Sequence, residues 1–314
     1  MTPSSSLDAG LPAARPAQVA LAGAGMALLA ATLWGTTGTA QSLAPSGLPA
    51  TWVGALRLVV ASLFFLAFVL LQREPLRRGL AQLRWQPVLL AGACIAAYNL
   101  AFFAGVRASG IAVGTAVAIG SGPIWAGLLE TLFTRQAPRR SWWCGTLLAV
   151  AGGSLLVLAG TAQLQASPLG IALCLIAGLS YAAYALLNKQ LVTNAPPAIA
   201  TLAVFGSAAL IATPLAWALA GPVSVTASGA AVLLYLGVVA TGVSYLLFSS
   251  AQRHIAGSTA VTLALGEPIT AFGLAILVVG EQPRPAAFIG LAMVMAGLGV
   301  VVWTEWRAAR QVGL

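Results

Sequence analysis

Glu267 stands in the stretch ALGEPIT, residues 264–270, inside a run from Ala256 to Val279 that is otherwise nearly uncharged. A carboxylate at that depth in an apolar segment is tolerated when it faces a wet cavity, is paired, or is protonated. Pro268 beside it lacks an N–H, so the carbonyl of Ala264, four residues earlier, loses its helical partner. Such breaks are accepted where neighbouring groups or water satisfy the backbone, so a carboxylate next to one marks a polar spot in the interior. Two roles fit Glu267. It can bind a substrate amine, a cation or a proton, or it can accept hydrogen bonds from a neighbouring helix and fix packing. Arg57, in ATWVGALRLVVASLFFL, is the one cation set inside an apolar run, and it is the available partner for an ion pair with Glu267. Glu130 lies near the end of its run and reads as interfacial.

The aromatic residues extend this picture. All five tyrosines, Tyr98, Tyr181, Tyr184, Tyr235 and Tyr245, fall inside apolar runs, where a phenol needs a hydrogen-bond partner. Tyr98 is followed by Asn99, and Ser180 precedes Tyr181. Tyr181 and Tyr184 are three apart and share a helix face. Of nine tryptophans, Trp34 and Trp125 lie deep. Trp52, Trp85, Trp142, Trp143, Trp217, Trp303 and Trp306 lie at or near run ends or in gaps, the places of an interfacial belt. Trp34, Tyr98, Asn99, Trp125, Tyr181, Tyr184 and Glu267, with Tyr245 and Arg57 as weaker members, are therefore the candidate lining of a cavity with aromatic walls and a few polar tips, the usual make-up of a small-molecule pocket. The competing reading is helix packing, with Tyr and Asn bonding across helices.

Other chemistry is missing. There is no G-x-x-x-x-G-K-[ST] phosphate loop and no H-E-x-x-H. The only histidine is His254, in a short gap beside Arg253, and the only aspartate is Asp8, so a Ser-His-Asp site cannot be built. Cys94, Cys144 and Cys174 lie in apolar runs without paired spacing and read as small buried residues. No catalytic residue, metal site or cofactor is expected, and an enzyme is not the expected class.

The elements that must hold these residues are membrane spans. Of 314 residues, 60% are hydrophobic and only 7% charged, against about 25% charged in a soluble domain. Apolar runs of about 20 residues predict helical spans at 19–42, 50–71, 87–106, 112–134, 142–159, 168–187, 198–219, 228–249, 256–279 and 285–303; those at 142–159 and 285–303 are short. Residues 1–18 are Pro/Ala/Ser-rich and read as a disordered tail, and 305–314 as a second tail. The net charge of +9 reflects topology rather than nucleic-acid binding. Twelve of the fifteen Lys and Arg residues fall on one side if the N-terminus is cytoplasmic, against Arg107 and Arg284 on the other. The positive-inside rule then places both termini in the cytoplasm.

The chain also repeats itself. The segment beginning GPIWAGLLETLF at Gly122 aligns without gaps, at an offset of 145, with the one beginning EPITAFGLAILV at Glu267. Pro123 meets Pro268, Gly145 meets Gly290 and Gly152 meets Gly297. This predicts two five-span halves, 19–160 and 161–304. Because five is odd, the second half must be inverted, a design that recurs in secondary transporters. The glycine pairs, seven apart on one helix face, permit close helix approach, as internal packing or as a dimer contact.

With the ten spans and the repeat, Trp34-Gly35 late in the first span, Pro123 and Pro268 in the fourth and ninth, and Gly280-Glu281 closing the ninth resemble the drug/metabolite transporter superfamily, its EamA-type ten-helix branch, over roughly Ala20 to Trp303. In overall character the chain is similar to exporters of aromatic and other neutral amino acids within that branch. It departs in having Arg135-Gln136 where the second half has Gly280-Glu281. The resemblance implies an all-α polytopic membrane protein of ten helices in two inverted repeats. It implies export across the inner (cytoplasmic) membrane by alternating access, with a small-molecule substrate and the lipid bilayer as partners and a monomer sufficient, though a homodimer is compatible. Cationic or amphipathic drugs, nucleotide-sugars and a non-transporting structural role stay open as alternatives. So do proton coupling and facilitated diffusion.

Overall fold

The structure, a computed structural model, describes residues 16–42, 48–159, 167–280 and 282–312; the expected tail up to residue 15 and Glu281 lie outside them. Among the described residues all regular structure is helical. Ten helices are long and apolar enough to cross a membrane: α1 Pro16–Ala40, α2 Ala50–Leu71, α3 Trp85–Ser109, α4 Val113–Thr134, α5 Arg140–Ala159, α6 Pro168–Asn194, α7 Pro197–Ala220, α8 Ala227–Ala251, α9 Gly257–Val278 and α10 Pro285–Gln311. The two short expected spans are both present. A further short helix, Leu76–Gln82, fills the basic gap between α2 and α3.

Two helices run well past the expected ends, α6 by seven residues and α10 by eight. Hydropathy marks where the apolar stretch stops, not where the helix stops. Beyond 187 the sequence turns polar at Asn188, Lys189 and Gln190, but nothing breaks the helix until Pro196. Beyond 303, TEWRAARQ contains neither Gly nor Pro, so the expected C-terminal tail is helical through Val312.

Helix packing follows a pattern. α1 packs against α8 and α9, while α6 packs against α3 and α4; α2 packs against α7, and α5 against α10. Shifting every helix number by five turns this set into itself, although the contact between α1 and α10 has no comparable counterpart between α6 and α5. The α5–α10 contact shows the correspondence at atomic scale. A β-carbon added at Gly145 would lie 2.8 Å from the Gly297 carbonyl oxygen, and one at Gly297 would lie 2.6 Å from that of Gly145. Gly152 and Gly290 repeat this at 2.7 Å in both directions. The contact is reciprocal, as a self-complementary contact must be, and it runs antiparallel. These glycines are thus used inside the chain, where they let two backbones touch.

Regularity fails beside Pro268, where the sequence predicts it, and at two π turns that it does not predict. α9 is regular over Gly257–Leu263, tightens to a 3₁₀ turn at Ala264–Gly266, resumes at Glu267–Leu274 and widens into a π turn at Ala275–Val279. The tightened turn lies where Pro268 removes the bond to Ala264. α8 opens into a π turn over Val238–Val243, and Thr241 Oγ1 donates to the Leu236 carbonyl, five residues back, at 2.7 Å. In α4, Pro123 causes no such interruption.

The aromatic belt holds in part. Trp85, Trp217 and Trp303 are exposed, but Trp52 and Trp142 are buried, at 5% and 2% exposure. Trp52 Nε1 donates to the Gly221 carbonyl at 2.9 Å and pins the start of α2 to the end of α7. Proximity to a span end does not tell whether a ring faces lipid or a neighbouring helix.

The glycine seam makes a direct prediction. Gly152→Val should destabilise the protein by about 1–3 kcal/mol, the range of an overpacked core, because its β-carbon meets backbone atoms of α10. Gly299→Ala, on α10 but with nothing within 4 Å of its added carbon, should be near neutral. Thermal unfolding in detergent would compare the two.

Candidate functional site

A cavity of about 410 Å³ lies within the bundle. Six of the nine candidate residues line it: Trp34, Arg57, Tyr98, Tyr181, Tyr245 and Glu267. They come from α1, α2, α3, α6, α8 and α9, so both halves contribute. The other three stand behind the wall. Tyr184 is fully buried and packs its ring 5.8 Å from that of Tyr245 and 6.1 Å from that of Tyr181. Asn99 is 6% exposed and reaches the cavity only through Arg57. Trp125 packs against the hydrophobic core and does not line the cavity.

The backbone break and one glycine bring the wall together. A β-carbon at Gly35 would fall 2.5 Å from the Glu267 carbonyl oxygen and 2.6 Å from Thr270 Cβ. The bare Gly35 backbone therefore lets α1 press onto the turn that carries Glu267, which brings Trp34 and Glu267 to one cavity. Trp34 in turn contacts Tyr245 at 5.0 Å, Phe248 at 5.4 Å and Tyr181 at 6.3 Å between ring centres. Tyr181 meets Tyr98 at 5.6 Å, and Tyr98 stacks on Phe102 at 5.8 Å. The tilted and edge-on geometries are those that aromatic quadrupoles favour.

Both charges face this space and neither is neutralised by contact. Glu267 and Arg57 are half-buried, and no ion pair joins them among the described residues. Arg57 Nη2 instead donates to Asn99 Oδ1 at 2.8 Å, and Asn99 Nδ2 donates to the Ile95 carbonyl at 2.8 Å. Three buried donors around the wall lack a protein partner: Arg57 Nε, Trp34 Nε1 and the Tyr181 hydroxyl. Buried donors are ordinarily satisfied, so this wall is prepared for something that accepts hydrogen bonds.

The cavity extends toward the end of the bundle opposite the termini, where Thr37, Gly38, Val106 and Thr115 line it. A polar knot closes the end where the termini lie. Asn188 Nδ2 donates to Ser249 Oγ at 2.9 Å and Gln252 Oε1 at 2.7 Å, and Gln252 Nε2 donates to the Ala185 carbonyl at 2.9 Å. Lys189 Nζ donates to the carbonyls of Gln252 at 2.5 Å and Ile255 at 3.0 Å, where α8 ends. At the start of α9, Glu130 Oε2 accepts from the Ser258 N–H at 2.9 Å. Glu305 accepts from the Ala256 N–H and from Thr259 Oγ1, both at 3.0 Å. Carboxylates at a helix N-terminus and an ammonium at a C-terminus are the favourable placements for the helix dipole. His254, in this loop, is mostly exposed; some desolvation and then the charges of Arg253 and Lys189 push its pKa below the ordinary value, so it is neutral near neutral pH.

Sequence reasoning overlooked the phenylalanines of the wall and the acid Glu305. Phe102 and Phe103 line the cavity, yet a Phe in an apolar run looks like any core residue. The Tyr98–Phe102 spacing of four, one turn on a single face, was the available signal. Glu305 lay past the expected end of α10.

The model of the EamA-like transporter family matches residues 21–158 and again 168–303, one copy for each set of five helices. The chain is 40% identical over 274 residues to "Uncharacterized transporter YwfM" of Bacillus subtilis, covering 87% of this chain and 91% of that protein. It is 26% identical over 180 residues to a protein of Escherichia coli named "Probable amino-acid metabolite efflux pump", covering 54% of this chain and 60% of that one. A solved crystal structure superposes with a TM-score of 0.78 at 18% identity, over 93% of this chain and 98% of the other; at that identity the likeness shows the fold alone.

The capped loop can be tested separately from transport. Glu130→Ala removes a charge-assisted acceptor, a bond of about 1.5–3 kcal/mol, and should speed amide hydrogen exchange around Ser258 by at least about tenfold. Glu130→Gln keeps an acceptor oxygen and should have the smaller effect.

Proposed function

The chain belongs to the EamA-like transporter family, and from that premise we propose that it is a secondary transporter exporting aromatic and other neutral amino acids by alternating access. The observation that carries the reading is the cavity. At about 410 Å³ it falls in the range of small-molecule sites, about 300–1,000 Å³, and it is framed by seven helices drawn from both halves. Its tyrosines and Trp34 offer ring faces to an aromatic or amphipathic side chain. The carboxylate of Glu267 is the partner for an amine. The printed name of the Escherichia coli relative points to the same class of solute.

The mechanism needs no covalent step. In this structure the cavity extends toward one end of the bundle while the Asn188–Gln252–Lys189 knot closes the other. The excess of basic residues at the terminus side supports a cytoplasmic location for that closed side; on this reading the cavity faces outward across the inner membrane. Rocking of the two halves would exchange the closed and open ends, as inverted repeats allow. One chain contains the whole cavity, so a monomer suffices. Glu267 also fits proton exchange. Its counterpart in the first half is Gly122, so any such role is one-sided.

Among the alternatives, a cationic drug uses the same aromatic wall and Glu267. A nucleotide-sugar would need several cations, and among the described lining residues Arg57 is the one cation. A channel would pass solute without saturation or counterflow, and a structural protein would pass none.

The test is counterflow in liposomes containing purified protein, with labelled phenylalanine outside and unlabelled amino acids loaded one at a time. Saturable uptake competed by neutral and aromatic amino acids is expected, and Glu267→Gln should abolish it while retaining wild-type thermal stability. Absence of counterflow with any amino acid would overturn the substrate class, and leak without saturation would overturn the carrier mechanism.

A further inference from the structure

We propose that Arg57, held in place by Asn99, is the carboxylate contact of the cavity, so that the solute must carry a free carboxylate as well as an amine. The inference rests on the amino-acid reading above and assigns the residue that would read the carboxylate of such a solute.

The argument begins with the permanence of the charge. A buried carboxylate such as Glu267 can shed its charge by protonation, but a guanidinium cannot be deprotonated in a protein. Arg57 therefore carries a full positive charge within the span of α2, where ionised groups are tolerated only when they meet a partner or water. Among the described residues no carboxylate touches it. Its one hydrogen bond is to a neutral amide, from Nη2 to Asn99 Oδ1 at 2.8 Å, while Nε has no protein partner. A guanidinium presents its donors as a planar fork suited to a carboxylate, and here that fork keeps unused donors at a cavity wall.

Asn99 is placed to aim the fork rather than to touch the solute. It is buried, its amide donates to the Ile95 carbonyl on its own helix, and its oxygen faces Arg57. Gly54, one turn before Arg57, packs beside Asn99 and Phe103: a β-carbon there would lie 3.3 Å from Phe103, a tight contact, and 3.5 Å from Asn99 Oδ1, an ordinary one. Asn99 is thus a positioning residue. Glu267 lines the same cavity without bonding to Arg57, so the cavity wall offers one fixed cation and one separate anion. An amino acid presents the complementary pair. A simple amine satisfies Glu267 alone and leaves the guanidinium unmatched.

The experiment is counterflow of labelled phenylalanine in proteoliposomes, competed in turn by phenylalanine, phenylalaninamide and phenethylamine. Wild type, Arg57→Lys and Asn99→Ala are measured together, each checked for unchanged thermal stability. In the wild type the amide and the amine should compete on the order of ten- to a hundredfold more weakly than the acid, the scale of one lost charge-assisted contact. Arg57→Lys keeps the charge and loses the fork, and Asn99→Ala leaves the fork unaimed. Both should raise the KM for phenylalanine more than they lower the maximal rate. Both should also narrow the gap between acid and amide, which a merely structural defect would not do. Equal competition by acid, amide and amine in the wild type would overturn the proposal while leaving the amino-acid reading intact, as would an Asn99→Ala effect of the same factor on acid and amide. Absence of phenylalanine counterflow in the wild type would instead overturn the reading on which the proposal stands, and the proposal with it.

Discussion

An ionised group within a membrane-spanning bundle must meet water or a partner, and the arrangement of this protein follows from that constraint. Glu267 and Arg57 are the two charges that line the interior cavity. Among the described residues no ion pair neutralises either, and the seven helices around them stand apart enough to leave about 410 Å³ of space. The local chain geometry serves the same end. Pro268 loosens the turn before Glu267, the π turn in α8 interrupts regular packing beside Tyr245, and Gly35 lets α1 close on the Glu267 backbone without filling the cavity.

The scaffold around this site is symmetric and the site is not. The contacts of α1 with α8 and α9 match those of α6 with α3 and α4, and the Gly145–Gly297 and Gly152–Gly290 contacts are reciprocal. That symmetry suits a molecule in which two arrangements of similar energy exchange the open and closed ends. The chemistry departs from it: Glu267 faces Gly122 in the repeat alignment, and Pro268 breaks its helix where Pro123 does not. An amino acid, the proposed solute, is polar at one end, so a symmetric binding surface would be poorly matched to it.

The elements were legible in the sequence because lipid enforces a simple code. Runs of about 20 apolar residues locate all ten spans, and the repeat arithmetic identifies the matching glycines. Helix ends were less legible. α6 and α10 continue into polar sequence because Asn188, Lys189 and Glu305 find partners in the α8–α9 loop, and no single segment reveals partners contributed by another. The candidate residues divide for a related reason. Residue type and depth single out Tyr98, Tyr181, Tyr245, Trp34, Arg57 and Glu267, which share the cavity. The same criteria single out Tyr184, Asn99 and Trp125, which stand behind it or away from it. Only helix rotation separates the two groups, and a span that is apolar all round carries little record of its rotation. Phe102 and Phe103 are the converse case, wall residues of ordinary core composition.

The central claim is that one cavity is reached in turn from the two sides of the membrane. Ala264, on the Glu267 turn, lines that cavity. In a background with Cys94, Cys144 and Cys174 replaced by Ala, Ala264→Cys can be tested with a membrane-impermeant maleimide in right-side-out and inside-out vesicles. Labelling should occur from both sides and fall on both when saturating phenylalanine is present. Labelling from one side only, with or without phenylalanine, would contradict alternating access around this cavity.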